Sequence, residues 1–259
     1  MDDVYTLHRG TAPLLVSLPH DGIAIPGDLG NRLSSGALSV PDTDWFVARL
    51  YAFARELGAS VLVPVYSRYV VDLNRPPDDT SLYPGQNTTG LCPVRRFDGG
   101  PVYLPGQEPD ADEVRARVEQ YWRPYHDALQ AELQRLRAQH GQVLLWEGHS
   151  IRSEVPFLFE GRLPDLNLGT AGGASCTPAR QQRIEAVLAA QQDYRWVVNG
   201  RFKGGYITRH YGDPAQRIDA VQLELAQSTY MDEAAGMYDR ARAAHLQGLL
   251  ETMLRAGLA

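Results

Sequence analysis

Two histidines, His20 and His149, stand directly after apolar runs that have the composition of buried β-strands, 13–18 and 143–147. Because ligands of open α/β sheets bind at the carboxyl ends of the strands, we expect both imidazoles to face one site there. Two imidazoles and one carboxylate form a common ligand set for zinc. The carboxylates that could complete the set are Asp21, Asp42 and Asp44. Ordinary hydrogen bonding in loops is the alternative, since no short motif of the HExxH type is present.

A buried acid is predicted within the apolar stretch 220–226. If this stretch is a β-strand, Leu223 and Leu225 lie on one face, and Gln222 and Glu224 lie on the other. A carboxylate in such surroundings costs several kcal/mol unless it is paired or used. Glu224 is therefore either one half of a buried ion pair or a general base beside a metal site.

A third group of polar residues is carried by a predicted strand at 68–73 and the residues that follow it. The period of two in a strand places Arg68, Asp72 and Asn74 on one face, and Arg75 comes next in the chain. Arginines grouped at the end of a strand favour the binding of an anion. We therefore expect this segment to bind a small carboxylated substrate.

The stretch 201–210 is basic and rich in glycine. It is not a phosphate-binding loop, because no GK[ST] motif follows it and no strand–glycine–helix context surrounds it. One interpretation is a solvated hairpin. The other is a lid that brings Arg209, together with His210, to a substrate carboxylate.

The elements that must position these residues alternate between short apolar runs and helical periods, which predicts one α/β domain over 1–259. The predicted strands are 13–18, 60–65, 68–73, 143–147, 195–199 and 220–226. The predicted helices are 43–57, 111–139, 178–191 and 233–257. We expect Asp42 or Thr43 to cap the first of these helices and Pro124 to kink the second. Two long loops, 76–110 and 150–177, remain, and loops of that length are usually functional.

The overall charge of −6 disfavours nucleic acid and anionic membrane surfaces as partners. No apolar run is long enough for a membrane helix, and the N-terminus lacks the apolar core of a signal peptide. Only two cysteines are present, Cys92 and Cys176, as is usual for free thiols in a reducing compartment. The sequence therefore predicts a cytoplasmic protein.

Several motifs, in this order, resemble the N-formylglutamate amidohydrolase family over about residues 12–235. They are SLPHDG, DTDW, SRYVVDLNRPPDDTSLYPGQNTTGLCP, HSIRSEVP, LPDLNLGT, NGRFKGGYITRHYG and VQLELAQ. This family is distantly similar to the zinc carboxypeptidases and aspartoacylase. The resemblance implies a three-layer α/β/α fold with a mixed, mostly parallel central sheet. It also implies zinc-dependent hydrolysis of the dianion N-formyl-L-glutamate to formate and L-glutamate, the last step of a histidine-degradation route.

The resemblance also implies roles for individual residues. His20 and His149 would bind zinc, Glu224 would be the general base, and Arg68 would stabilise the oxyanion. Asn74 and Arg75 would bind a substrate carboxylate, and Arg209 and His210 are added to them from the basic loop. The third metal ligand is expected to be Asp44, with Asp42 as the alternative, because Ile23 stands where the carboxypeptidase pattern HxxE has its glutamate.

Two other functions are compatible with the same residues. One is a metallohydrolase for another N-acyl amino acid or a short peptide, since the sequence does not give the size of the pocket. The other is an anion-binding module that kept the arginines but lost catalysis. The presence of both histidines and Glu224 argues against this second alternative, because metal-dependent hydrolysis needs all three.

Overall fold

The computed structural model describes residues 3–82, 85 and 88–259. The strands among these residues are β1 Tyr5–His8, β2 Leu14–Ser17, β3 Ser60–Pro64, β4 Val143–Ile151, β5 Leu166–Gly169, β6 Trp196–Val198, β7 Ile218–Ala226, β8 Met231–Asp232 and β9 Met237–Tyr238. The α-helices are α1 Gly27–Gly30, α2 Val47–Leu50, α3 Ala111–Arg117, α4 Arg123–His140, α5 Pro178–Ala190, α6 Tyr206–Tyr211 and α7 Arg240–Leu258. No helix in this described part of the chain is long and apolar enough to cross a membrane.

Seven strands form one mixed sheet in the order β1-β3-β2-β4-β7-β5-β6. The pairs β2/β3, β2/β4, β4/β7 and β5/β6 are parallel, whereas β1/β3 and β5/β7 are antiparallel. The central strand β4 is buried along its whole length, as expected for a parallel strand covered on both faces. The predicted mixed, mostly parallel sheet is confirmed.

Alternate side chains of the sheet enter two separate cores. On one face, Leu144 and Trp146 of β4 pack into a core that is completed by α5 and α7. On the other face, Val143 and Leu145 pack into a core that is completed by α4. Helices therefore cover both faces of the sheet, and the predicted three-layer α/β/α arrangement is present.

Most of the predicted elements are confirmed to within a few residues. The confirmed strands are 13–18, 60–65, 143–147, 195–199 and 220–226, and the confirmed helices are 111–139 and 178–191. The sequence predicts neither β1 nor β5, each of which is only four residues long. Strand β5 lies within the predicted loop 150–177, so that loop is shorter than the sequence indicates.

The strand predicted at 68–73 is wrong, because all of these residues are described and they form turns and irregular structure instead. Arg75 N donates to the carbonyl of Asp72 at 3.2 Å, which closes one turn. The Asp72 carboxylate also accepts a hydrogen bond from Asn74 N at 2.9 Å, and local bonds of this kind compete with a strand ladder. Packing of the apolar side chains against other elements overrides their β propensity here.

The helix predicted at 43–57 begins later and is broken. It is replaced by α2 and a 3₁₀ turn, Ala52–Arg55, and Asp42 does not cap it. The N–H group of Ala48 has no partner within the first turn of the helix and instead donates to Asp21 Oδ1 at 2.8 Å. The cap therefore comes from a distant part of the chain, which no local motif could indicate.

The last helix also begins later than predicted. The prediction was 233–257, but the hairpin of β8 and β9 occupies the first part of that range. Asp239 then caps α7 by accepting hydrogen bonds from the N–H groups of Ala241 and Arg242 at 3.0 and 3.1 Å. An aspartate at this position is a standard start signal for a helix.

A π-helical turn, Val118–Trp122, joins α3 to α4. Arg123 N donates to the carbonyl of Val118, five residues earlier. Pro124 follows immediately, and it has no N–H group to continue a regular α-helical ladder. The irregularity predicted around Pro124 is therefore a widened turn, which shifts the helix faces on either side relative to each other.

Candidate active site

Three of the predicted metal ligands lie together near the carboxyl ends of the parallel strands. His20 follows β2, Asp44 lies in the loop before α2 and His149 lies in β4, and all three are buried. One ligand atom from each lies within 4.8 Å of the other two. Asp44 Oδ2 is 2.9 Å from His149 Nδ1 and 3.8 Å from His20 Nδ1. This cluster could hold a metal ion.

The second nitrogen of each histidine is held by another carboxylate. His20 Nε2 lies 2.8 Å from Asp72 Oδ1, and His149 Nε2 lies 2.7 Å from Glu147 Oε1. Histidines that bind metals usually donate their second N–H to a carboxylate, which fixes the tautomer and orients the ring. With a proton on Nε2, each ring would offer the Nδ1 lone pair to a metal beside Asp44; on His149 the metal would replace the proton that hydrogen-bonds Asp44 in the metal-free protein. The donor set therefore fits a divalent metal such as zinc.

The structure separates the three candidate carboxylates. Asp44 is in the cluster, whereas the Asp42 carboxylate accepts a hydrogen bond from Phe97 N at 2.9 Å. The Asp21 carboxylate caps α2 through Ala48 N, and burial raises its pKa to about 6. Of the alternatives that the sequence leaves open, Asp44 is the carboxylate that lies with both histidines.

The surroundings of Asp44 favour its ionised form. Burial alone would raise its pKa, but the hydrogen bond with protonated His149, the charge of that imidazolium and the charge of Arg68 hold the pKa below its usual value. Ser150 N also donates to Asp44 Oδ2, at 3.0 Å. An ionised carboxylate is the form that binds a cation.

Glu224 lies beside this cluster. It is the register partner of His149 in the parallel β4/β7 ladder, and its side chain lines the same pocket. Burial raises the pKa of Glu224 to about 8, against the opposing charge of His149. Leu223 and Leu225 pack into the core on the opposite face, as the alternation predicts.

Arg68 is buried at the edge of the cluster. Its Nη2 donates to Asp72 Oδ2 at 2.6 Å, and its Nη1 lies 3.9 Å from Asp44 Oδ1. The guanidinium lies over the ring of Phe97, with 4.9 Å to the centroid. Its Nε has no hydrogen-bond partner among the described residues. A buried donor without a partner is costly, and a bound ligand is one way to satisfy it.

Asn74 and Arg75 also line the pocket. Asn74 Oδ1 accepts a hydrogen bond from Ile207 N at 2.9 Å, and its Nδ2 lies 3.1 Å from His149 Nε2. Arg75 Nε donates to the carbonyl of Thr89 at 2.8 Å. The bonds with Ile207 N and the Thr89 carbonyl fix both side chains beside the metal-ligand cluster.

The backbone of this loop is held by the long helix behind it. Trp122 Nε1 donates to the carbonyl of Arg75 at 3.0 Å, and His126 Nε2 lies 2.9 Å from the carbonyl of Leu73. The two rings stack with centroids 3.6 Å apart. Burial lowers the pKa of His126 to about 3, so the ring is neutral, and its Nδ1 accepts from the hydroxyl of Tyr211 at 2.9 Å.

Arg209 and His210 lie on α6 and are exposed, and neither lines the pocket. Arg209 Nε donates to the carbonyl of Gly204 at 2.8 Å, and His210 stacks on Tyr206 with centroids 4.8 Å apart. The stretch 201–210 is therefore not a hairpin, because its second half is helical. The arginine that this stretch contributes to the pocket is Arg201.

Residues from several separate segments of the chain line this pocket. Beyond the predicted residues, it is lined by Phe97, Leu158, Arg201, Phe202 and Gln222, among others. No spacing in the sequence indicates these residues. The only signal for two of them is that Phe97 and Leu158 fall in the long predicted loops 76–110 and 150–177.

Comparisons with known proteins identify the family of this chain. The family model for N-formylglutamate amidohydrolase matches residues 12–231. The N-formylglutamate deformylase of Pseudomonas putida is 53% identical over 260 residues, which is 100% of this chain and 97% of that protein. The enzyme of the same name from Pseudomonas aeruginosa is 53% identical over 262 residues, which is 99% of this chain and 98% of that protein.

Two solved structures share the fold. The crystal structure of N-formylglutamate amidohydrolase from Ralstonia eutropha matches with a TM-score of 0.82 and 27% identity, covering 98% of this chain and 97% of that chain. A gene product of Agrobacterium tumefaciens matches with a TM-score of 0.74 and 20% identity, over 98% of this chain and 95% of that one. The second match supports the fold alone. The family model and the two relatives show that this chain belongs to the N-formylglutamate amidohydrolase family.

Proposed function

We propose that this protein hydrolyses N-formyl-L-glutamate to formate and L-glutamate, with one zinc ion bound by His20, Asp44 and His149. The observation that carries the proposal is the burial of these three ligands beside Glu224, in a pocket that arginines line. The names of the 53% identical relatives support the choice of substrate. With that substrate, the reaction would be the last step of a histidine-degradation route, as the family resemblance implies.

The metal site supports hydrolysis rather than simple binding. A zinc ion at these three ligands would polarise the formyl carbonyl and lower the pKa of the attacking water. His20 and His149 would present Nδ1 to the ion, because Asp72 and Glu147 hold their Nε2 atoms. The role of this chain at the site is therefore to fix the ligand geometry in advance.

Glu224 is assigned the proton transfers. It takes a proton from the attacking water as the new carbon–oxygen bond forms, and it gives a proton to the amine nitrogen as the carbon–nitrogen bond breaks. Its place beside His149 on the neighbouring strand sets its distance from the reacting atoms. Burial largely excludes bulk water from Glu224, which is only 6% exposed.

Arg68 is assigned to the oxygen of the formyl group, where negative charge develops. Asp72 holds one end of the guanidinium, and the unpartnered Nε provides a donor for that charge. Such a donor contributes more in a buried pocket than in water. Asn74 and Arg75 are assigned to the α-carboxylate, while Arg209 and His210 are left out because they do not line the pocket.

A formate-release assay on N-formyl-L-glutamate, combined with metal analysis of the purified protein, tests the proposal. We expect turnover that is lost with a chelator and restored by zinc. N-acetyl-L-glutamate and a formylated dipeptide test the alternative substrates. Faster hydrolysis of either would contradict the proposed substrate, and turnover by fully metal-free protein would contradict the metal site.

A further inference from the structure

We infer that Arg201 binds the side-chain carboxylate of the substrate and so gives the enzyme its preference for an acidic N-formyl amino acid. The inference rests on the proposed function. N-formylglutamate carries two negative charges, one beside the scissile amide and one at the end of its side chain. The pocket must therefore provide cationic groups at two depths.

The arginines of the pocket lie at different depths. Arg68 is only 8% exposed, and its charge is already neutralised by Asp72 and by the nearby Asp44. Arg75 is partly exposed, as Arg201 is, but it is next to Asn74, which touches the metal-ligand cluster. The α-carboxylate lies close to the scissile bond, so it belongs with these inner residues. The carbon of the second carboxylate lies three bonds from the α-carbon, against one bond for the α-carboxylate, and needs a different cation.

Arg201 is placed for that second role. It lines the same pocket but comes from a separate segment, between β6 and α6. It is partly exposed, as are its neighbours Leu158 and Phe202, whereas the metal ligands are buried. This group therefore forms the outer part of the pocket, where the end of the substrate side chain would lie.

The guanidinium of Arg201 is oriented by its surroundings. Its Nε donates to the carbonyl of Leu158 at 3.1 Å, and its charged end lies 5.5 Å from the centroid of the Phe202 ring. A guanidinium held in one plane can bind a carboxylate with little further loss of entropy. The apolar side chains around it reduce water access, which strengthens an ion pair.

The experiment compares Arg201→Met with wild type on N-formyl-L-glutamate and on N-formyl-L-glutamine, which is nearly the same shape but has no charge on its side chain. We expect kcat/KM of the variant for the glutamate substrate to fall about 100-fold, mainly through KM, and kcat/KM for the glutamine substrate to stay within about threefold. Lys203→Met is the matched control. It removes the positive charge of a residue two positions away that does not line the pocket. The kcat/KM values for both substrates should be unchanged.

The outcomes separate the inference from the proposed function. Equal losses on both substrates, or no loss on either, would overturn the role of Arg201 while the deformylase activity of wild type stands. A wild type inactive on both substrates would overturn the proposed function and the inference with it. If Arg201→Met does not fold, Arg201→Gln is compared in the same way, and its thermal midpoint is checked first. Arg201→Lys should restore part of the preference for the charged substrate.

Discussion

The two halves of the site are held in place by different means. His149 and Glu224 lie on β4 and β7, which pair along nine registered positions in the centre of the sheet. Arg68, Asn74 and Arg75 lie on a loop of consecutive turns that belongs to no sheet. One half takes its precision from backbone ladders, and the other must take it from side chains.

Side chains of the long helix supply that support to the loop. Arg117 Nη1 donates to the carbonyl of Val70 at 3.0 Å. Trp122 and His126 bond the carbonyls of Arg75 and Leu73 in the same way. The side chains of β4 and β7 can thus be changed without loosening the backbone that carries them. The backbone position of the loop residues, in contrast, depends on a few hydrogen bonds from one helix. The four predictions below test this difference.

The largest effect is expected for Glu224→Gln, in the strand half. Turnover should fall about 10³-fold, because the amide cannot accept the proton of the attacking water. Metal content and thermal midpoint should match wild type, since the β4/β7 ladder is untouched. Glu160→Gln, at an exposed glutamate outside the pocket, is the control for kcat. A variant that keeps more than about a tenth of the wild-type turnover would remove Glu224 from this role.

The next effect compares Asp72→Asn in the loop with Glu147→Gln in β4. Both should weaken zinc binding by about 10–100-fold, because each carboxylate holds a ligand histidine. Asp72→Asn should also lower the free energy of unfolding of the metal-free protein by about 3 kcal/mol, since it removes the nearest counter-ion of the buried Arg68 and leaves only the more distant Asp44.

Titration against a competing chelator measures the zinc affinity, and denaturant unfolding measures the stability of the metal-free protein. The loss of stability for Glu147→Gln should be the smaller of the two, although the hydroxyl and the N–H of Thr208 also donate to that carboxylate. Equal losses of stability would show that the two halves do not differ in the way we describe.

The third effect concerns pH and His126. Its pKa is about 3 in the folded protein, below its ordinary value of 6.5, so the unfolded chain binds the extra proton. Its contribution to stability is therefore complete above pH 6.5 and is lost as the pH falls towards 3. When the pH falls from 7 to 5, the free energy of unfolding of the metal-free wild type should decrease by about 2 kcal/mol more than that of His126→Gln does.

Denaturant unfolding of both proteins at the two pH values measures this difference. The titratable groups that face His126 are Tyr125, Tyr206, Tyr211 and His210. Burial raises the pKa values of the three tyrosines, so they stay neutral in this range. Charge on His210 would act in the same direction as protonation of His126 and is present in both proteins. Parallel slopes for the two proteins would contradict the prediction.

The smallest effect is expected for Trp122→Phe. The ring is kept, but the N–H that donates to the carbonyl of Arg75 is lost. KM for N-formyl-L-glutamate should rise about 3–10-fold, with kcat within about twofold, because one hydrogen bond of about 1 kcal/mol positions a binding residue. Trp196→Phe, at an exposed tryptophan of β6, is the matched control. An unchanged KM would show that the loop holds its shape without this bond.

The positions of the strand residues of the site could be predicted from the sequence. For the loop, the sequence predicts the residues of the site but not their backbone conformation. Alternation in 220–226 places Glu224 correctly, and the position of His149 after an apolar run places it near the sheet end. The residues around Arg68 carry the right chemistry, but their apolar and polar alternation predicts a strand that does not form. Arg201 could not be predicted at all, because its place in the pocket depends on how two distant loops meet.

The π-helical turn at Val118–Trp122 also fixes the length of the chain at this point. Arg117 and His126 are nine positions apart. In a regular α-helix of about 100° per residue, that separation puts two side chains on opposite sides, about 180° apart. The wide turn takes up one extra residue, which reduces the angle to about 80° and lets both side chains reach the same loop. An insertion or deletion of one residue here would turn one of the two side chains away from the loop. The number of residues in this helical segment must therefore stay the same for the substrate loop to keep both hydrogen bonds.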